Sequence, residues 1–236
     1  MEPFGLALLD YIRGNTTETI TLERDDSYSE EMPISIFFRK PSEYYPHEHT
    51  AIDLCSGRIL DIGAGTGIHS VLLQQHGFRV TAIDISPEAV TVMEHLGVKD
   101  ARCIDIYEFH SERFDTLLLL GRGIGLTGDL NGLNKFLNHC PRIIKPDGQF
   151  LLNSCDVRKT IIPEHVKYHE SNLKANKYVG EIRCRLIYKR HVGEYFNWLH
   201  VDYQTLSEHA MHCGWMPEIV AEEDDGHYLA RLSLVN

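Results

Sequence analysis

Two acids and three glycines carry the most specific chemistry in this 236-residue chain. Asp61 is followed by Gly63, Gly65 and Gly67, and Asp84 closes the next apolar run. Alternating glycines, with Ala64 among them, leave few Cβ atoms to hold a ligand off the backbone. A helix that follows such a turn aims its free N–H groups back at it. A carboxylate at the end of the next strand is placed to accept two ribose hydroxyls. This combination makes a nucleoside site.

The elements that position these residues can be read in order. Residues 58–62 carry Ile59, Leu60 and Ile62, the pattern of a strand buried on both faces. Val71, Leu72 and Gln75 predict a helix over 68–76. After Gly77 a second strand, 78–83, ends on Asp84, which completes a βαβ unit. Ser86, Pro87 and Glu88 read as N-cap, first position and first turn of a helix that Gly97 closes. A short strand, 101–104, leads to Asp105 and Ile106. Residues 114–120 are continuously apolar, as in a central parallel strand. They run into Gly121, Arg122, Gly123, Gly125 and Gly128, a loop kept open at a strand's carboxyl end. A helix over 133–144, a turn at 145–148 and a strand over 149–153 come next. Residues 157–177 are polar, and the alternation over 178–190 and 195–201 predicts an antiparallel hairpin. A helix over 202–213 capped by Asp202 and two strands, 216–222 and 227–235, end the chain. The acidic turn between those strands reads as solvated.

Spacing narrows the nucleoside. A dinucleotide turn, G-x-G-x-x-G counted from Gly63, needs a glycine where Ile68 stands, which counts against a nicotinamide dehydrogenase. The observed D-x-G-x-G-x-G of residues 61–67 resembles motif I of the class I S-adenosylmethionine-dependent methyltransferases. Asp84-Ile85-Ser86 resembles the acidic motif that follows it, and Ile144-Lys145-Pro146-Asp147-Gly148 resembles the family's L-K-P-G-G turn. Gly214-Trp215 is similar to the family's helix-ending turn. The resemblance covers roughly residues 56–236, apart from the insertion.

That resemblance implies an α/β fold, a seven-stranded mostly parallel sheet with helices on both faces. The expected Rossmann-like strand order is 3-2-1-4-5-7-6, with the last strand antiparallel. Residues 1–50 would form an N-terminal cap. Residues 51–236 would form the methyltransferase domain, with a hairpin inserted at about 157–201. The implied cofactor is S-adenosyl-L-methionine, held by Asp61, Gly63, Ala64, Gly65, Gly67, Asp84, Ile85, Asp105, Ile106 and Gly121. Within that set Asp105 would read the adenine amino group, Ile106 would pack near the ring, and the Gly121 loop would touch the sulfonium side.

The implied reaction moves the sulfonium methyl to a nucleophile on a small molecule. Arg122, Asn153, Tyr195 and Trp198 are the expected acceptor contacts, because the insertion covers the acceptor pocket in many relatives. Arg122 departs from the small or amide residue expected there. It suits an acidic acceptor, the cofactor carboxylate or a salt bridge within the loop. No N/D-P-P-Y motif follows strand four, which argues against amino groups of nucleobases as acceptors. Asp156 is the candidate general base, with a turn cap as its alternative role, and His47 and His165 are further loop candidates. Two other readings use the same fold: an S-adenosylmethionine enzyme that does not methylate, and a catalytically silent binding module.

Composition sets the remaining bounds. A net charge of −11 argues against a nucleic-acid partner, and the resemblance implies a small-molecule one. The six cysteines include no C-x-x-C pair, which predicts reduced thiols and a cytoplasmic protein. There is no signal pattern, and no apolar run reaches the roughly eighteen residues of a membrane span. His47 and His49 lie two apart and share no helix face, while His165 and His169 lack a third ligand. All four read as solvated surface, with no metal. The aromatic N-terminal stretch, with Ile34, Phe37, Phe38, Tyr44 and Tyr45, reads as a cap at the mouth of the sheet.

Overall fold

The structure, a computed structural model, describes residues 2–110 and 112–235. In chain order the elements are α1 (Glu2–Ile12), β1 (Thr19–Arg24), β2 (Ser29–Pro33), α2 (Pro46–Leu54), β3 (Arg58–Ile62), α3 (Ile68–Gln75), β4 (Arg79–Asp84), α4 (Pro87–Leu96), β5 (Ala101–Cys103) and β6 (Phe114–Leu119). They continue with α5 (Leu130–His139), β7 (Ile144–Cys155), α6 (Pro163–Lys174), β8 (Glu181–Tyr188), β9 (His191–Val192), β10 (Phe196–Leu199), α7 (Tyr203–His212), β11 (Trp215–Glu222) and β12 (His227–Leu234).

Seven strands form the main sheet in the order β11-β12-β7-β6-β3-β4-β5, which is the expected 3-2-1-4-5-7-6. The pairs from β5 to β7 are parallel, and β12 runs antiparallel to both β7 and β11. The centre is β6, where alternate side chains enter opposite layers. Leu117 and Leu119 pack with Phe136, Leu206 and Trp215 on the side of α5 and α7. Leu118 pairs with Leu151 and packs with Ala51, Ile52 and Leu73 on the side of α2 and α3. Each leucine buried in these layers is worth about 1.5–3 kcal/mol. The caps hold as read. Ser86 Oγ accepts from Ala89 N, and Asp202 accepts from Thr205 N.

The rest of the chain forms a second, antiparallel sheet in the order β10-β8-β1-β2, with β9 beside β8. The hairpin expected in the insertion is present, with Phe196 opposite Cys184. Its other edge pairs with β1 from the N-terminal stretch, Leu22 opposite Leu186. The two segments expected as separate covers are therefore one sheet. Helix α1 joins that sheet to the main body: Leu8, Ile20, Leu186 and Tyr188 share a core with Ala89 and Val92 of α4. The polar stretch before the hairpin contains a helix, α6. Its buried residues are Tyr168, His169 and Asn172 rather than aliphatics, so it shows no hydrophobic period in sequence.

Candidate active site

The turn between β3 and α3 follows from its glycines. Gly63 has φ +63°, and a Cβ there would meet open space. Gly67 has φ +75°, and its Cβ would stand 2.7 Å from Val98 Cγ2, so the turn packs against the end of α4 only without a side chain. Asp84 ties this turn to the next. Its Oδ2 accepts from Gly65 N at 3.0 Å and its Oδ1 from Ser86 N at 2.9 Å. Burial raises its pKa, against the lowering effect of those backbone donors. Each oxygen keeps a further lone pair for a ribose hydroxyl. Beside it Ile85 is 57 % exposed, a bare apolar face at the end of β4.

Asp61 lies deeper. Ser70 Oγ donates to it at 2.6 Å, and burial raises its pKa. It thus fixes the first turn of α3 to β3. Next to it, His69 Nε2 contacts Glu48 Oε1 at 2.9 Å, and Arg39 grips Glu48 with both Nη atoms at 2.7 and 2.8 Å. Burial works to raise the Glu48 pKa, but hydrogen bonds with His69 and Arg39 outweigh it and hold the carboxyl well below its ordinary range.

Gly121 follows β6, the strand beside β3, again with positive φ (+65°) and open space where a Cβ would be. The next residue, Arg122, is left-handed at φ +59°. A relay secures it. Asn153 Oδ1 accepts from Arg122 N at 3.0 Å, which turns Asn153 Nδ2 toward His47 Nε2 at 3.1 Å. His47 is thereby left to donate through Nδ1 to Glu223 Oε1 at 2.5 Å. Its ring stacks between Tyr45 and His227. Further up β7, Cys155 Sγ lies 3.6 Å from His200 Nδ1. Burial, and then the charge of Arg122, push the His200 pKa down to about 3.

Aromatic residues close over these strand ends. Phe4 Cζ would lie 3.9 Å from a Cβ on Gly65, and Phe4 meets Phe37 edge-on at 5.0 Å. The Thr66 hydroxyl donates to the Phe37 carbonyl. Trp198 lies flat against Gly125, where a Cβ would overlap the indole.

The structure therefore brings together Gly63, Ala64, Gly65, Asp84, Ile85 and Gly121 at one cleft, with Arg122, Asn153 and Trp198 beside it. Gly67 supports the turn from behind. Asp105 is exposed at the end of β5, where it accepts from Tyr107 N at 2.9 Å, and Ile106 is buried behind it. Tyr195 is not brought in. It lies on the outer face of the second sheet, bonded to Glu23 Oε1 at 3.1 Å and flanked by Arg183 and Arg185. Asp156 caps the following turn through Arg158 N and holds the Arg158 guanidinium at 2.7 and 3.0 Å. His47 and His169, read as solvated surface, are buried at 3 % and 8 % exposure, and Glu48 beside His47 at 1 %. Each is surrounded by segments distant in sequence, which a local pattern does not reveal. Glu223 likewise leaves the solvated turn to bind His47. Among the described residues no group of three or more His, Cys, Asp or Glu is arranged to hold a metal. Open backbone at Gly63 and Gly121, a carboxylate with spare lone pairs and the bare Ile85 fit a nucleoside carrying an extended tail.

Known proteins agree with this geometry. Residues 60–152 match the family described as methyltransferase domain. A crystal structure of an S-adenosylmethionine-dependent methyltransferase from Bacteroides fragilis, in complex with S-adenosyl-L-homocysteine, is 34 % identical and superposes with a TM-score of 0.87. The match covers 99 % of this chain and 95 % of that one. A Methanosarcina mazei S-adenosylmethionine-dependent methyltransferase shares the fold at 21 % identity and a TM-score of 0.61, over 82 % of this chain and 99 % of its own. A ubiquinone biosynthesis O-methyltransferase of Xanthomonas oryzae pv. oryzae is 28 % identical over 111 residues, 44 % of this chain and 45 % of that protein. The chain spans less than half the length of the curated relatives it matches. On the full-length likeness to the Bacteroides fragilis enzyme, the chain belongs to the class I S-adenosylmethionine-dependent methyltransferases.

Proposed function

We propose that this chain methylates a small molecule with S-adenosyl-L-methionine as donor. The carrying observation is the cleft over Gly63 and Gly121, two open, positive-φ positions at neighbouring strand ends, walled by Asp84 and Ile85. When bound, the cofactor supplies a methyl already activated by positive sulfur. The residues of the chain then have positioning work to do. Asp84 accepts the ribose hydroxyls, Ile85 and Ile106 flank the adenine, and Asp105 accepts from its amino group. Asp61 holds the turn in register through Ser70. Phe4, Phe37 and Trp198 keep water from the reacting atoms.

Asp156 takes the role of cap, because Arg158 occupies its carboxylate. The net charge of −11 supports a small molecule over a nucleic acid. The match to an O-methyltransferase supports an oxygen nucleophile. No helix among the described residues is long and apolar enough to cross a membrane. The six unpaired cysteines support a cytoplasmic location. The experiment is incubation with methyl-labelled S-adenosylmethionine and a metabolite extract, followed by mass spectrometry. A labelled product formed with S-adenosylhomocysteine supports the reading, and cofactor binding without turnover refutes it.

A further inference from the structure

We propose that the acceptor carries a carboxylate, and that Arg122 is its anchor. The proposal rests on the methyl-transfer reading and names the class of molecule that reading requires.

Three observations carry it. First, Arg122 is exposed at the carboxyl end of the central strand, beside the cleft, and no carboxylate pairs with it among the described residues. Arg39, Arg158 and Arg231, by contrast, each hold an acid.

Second, the backbone of Arg122 is held in place at a cost. A left-handed backbone is unfavourable for a non-glycine residue. The relay from Glu223 through His47 to Asn153 ends on its N–H and fixes it there. A guanidinium that served only solubility would need no such support.

Third, the placement of Arg122 separates acceptor from cofactor. Gly63 on β3, with β4 and β5, lies on one side of β6. The Arg122 N–H instead bonds Asn153 Oδ1 on β7, on the other side. There Trp198, on the inner face of the second sheet with Ile182 opposite it, packs on Gly125 of the same loop.

The charge available selects the anion. One planar guanidinium matches one carboxylate through two parallel N–H···O bonds. A phosphate dianion calls for more positive charge, and His200, its pKa pushed down to about 3, adds none at neutral pH. The roof is aromatic, from Trp198 and Phe196. The molecule is thus a small acid with an apolar body and a nucleophile at the end nearer Gly121.

The test uses the full chain loaded with S-adenosylhomocysteine. It is equilibrated with a metabolite extract, and the retained molecules are identified by mass. Parallel extracts are amidated at their carboxylates or treated with phosphatase, and labelled transfer from S-adenosylmethionine is run on the same fractions. The expected result is retention and methylation of acids, lost on amidation and indifferent to phosphatase. Arg122→Ala should lose about 10- to 100-fold in acceptor affinity, with partial rescue by Arg122→Lys and unchanged S-adenosylhomocysteine binding. Methylation of a neutral fraction overturns the proposal and leaves the methyl-transfer reading standing, and loss on phosphatase treatment makes the acceptor a phosphate instead. Weakened S-adenosylhomocysteine binding by Arg122→Ala assigns the arginine to the cofactor and also overturns it. Retention of acids without any transfer keeps the anion site and overturns the methyl-transfer reading. Absence of retention and of transfer in every fraction overturns both.

Discussion

The Nδ1 of His47 lies 2.5 Å from Glu223 Oε1, joining the start of α2 to the turn between β11 and β12. The imidazole is 3 % exposed, and its other nitrogen meets Asn153. Truncating Glu223 to Ala leaves a buried N–H without its acceptor. That should cost about 1–3 kcal/mol in a denaturant titration. Glu223→Gln keeps an acceptor and should recover most of the loss. Equal losses for the two variants would show that the contact contributes only charge.

The glycine turn offers a substitution that separates folding from binding. A Cβ at Gly63 meets no protein atom within 4 Å, so the main cost of Gly63→Val to the fold is the strain of its positive φ, about 1–2 kcal/mol. The fold, followed by circular dichroism, should persist, while calorimetry shows cofactor affinity falling by more than about tenfold. Retained affinity would place the cofactor elsewhere.

The two acids called cofactor ligand and candidate base should part kinetically. Asp84→Ala removes ribose contacts made equally in ground and transition states, so KM for the cofactor rises about 10- to 100-fold and kcat changes little. Asp156→Asn should leave kcat within a few-fold and cost roughly 0.5–2 kcal/mol of stability, as loss of a cap does. Saturation curves for both variants check this. A kcat loss of about 10²-fold in the Asp156 variant would restore it as the base.

Acid should destabilise the fold from near pH 6.5 downward. His200 has a folded pKa of about 3 against an ordinary 6.5, because its ring is withdrawn from water in a half-buried residue that faces Arg122, His227 and His169. Between those values the unfolded chain binds the extra proton, so stability is present above pH 6.5 and is lost as pH falls toward 3. From pH 7.5 to 5 this one group contributes up to about 2 kcal/mol. His139, His165 and His169 are shifted the same way. The depressed Glu48 adds a loss below its ordinary 4.5, while the raised Asp61 and Asp84 oppose it. Chemical denaturation at pH 7.5 and 5 should show a shallower dependence for His200→Gln than for the wild type. Identical slopes would contradict the assignment.

The main sheet was legible because its signals are local. Continuous apolar runs mark the buried strands, glycines mark the turns, and Asp61, Asp84 and Asp105 lie near strand ends. The second sheet was not, since β1 finds β8 only across the whole main body, and neither strand carries a mark of its partner. The buried polar cluster failed for the same reason. His47 and Glu48 look like surface beside Pro46 and His49, and only Asn153, Glu223, Arg39 and His69, brought from elsewhere, make burial tolerable. Tyr195 and Trp198 show how far a pattern reaches. Alternation gives the strand, but which face turns inward depends on the partner, and that face took Trp198 and left Tyr195 outside.

The most direct test of the central claim follows the methyl group. The full chain, S-adenosylmethionine labelled on its methyl carbon, and a metabolite extract are combined and sampled over time. The account predicts S-adenosylhomocysteine and a labelled small molecule appearing in equal amounts, abolished by Gly63→Val. Cofactor that binds at the cleft and is recovered unchanged, or consumed without label reaching a product, would contradict it.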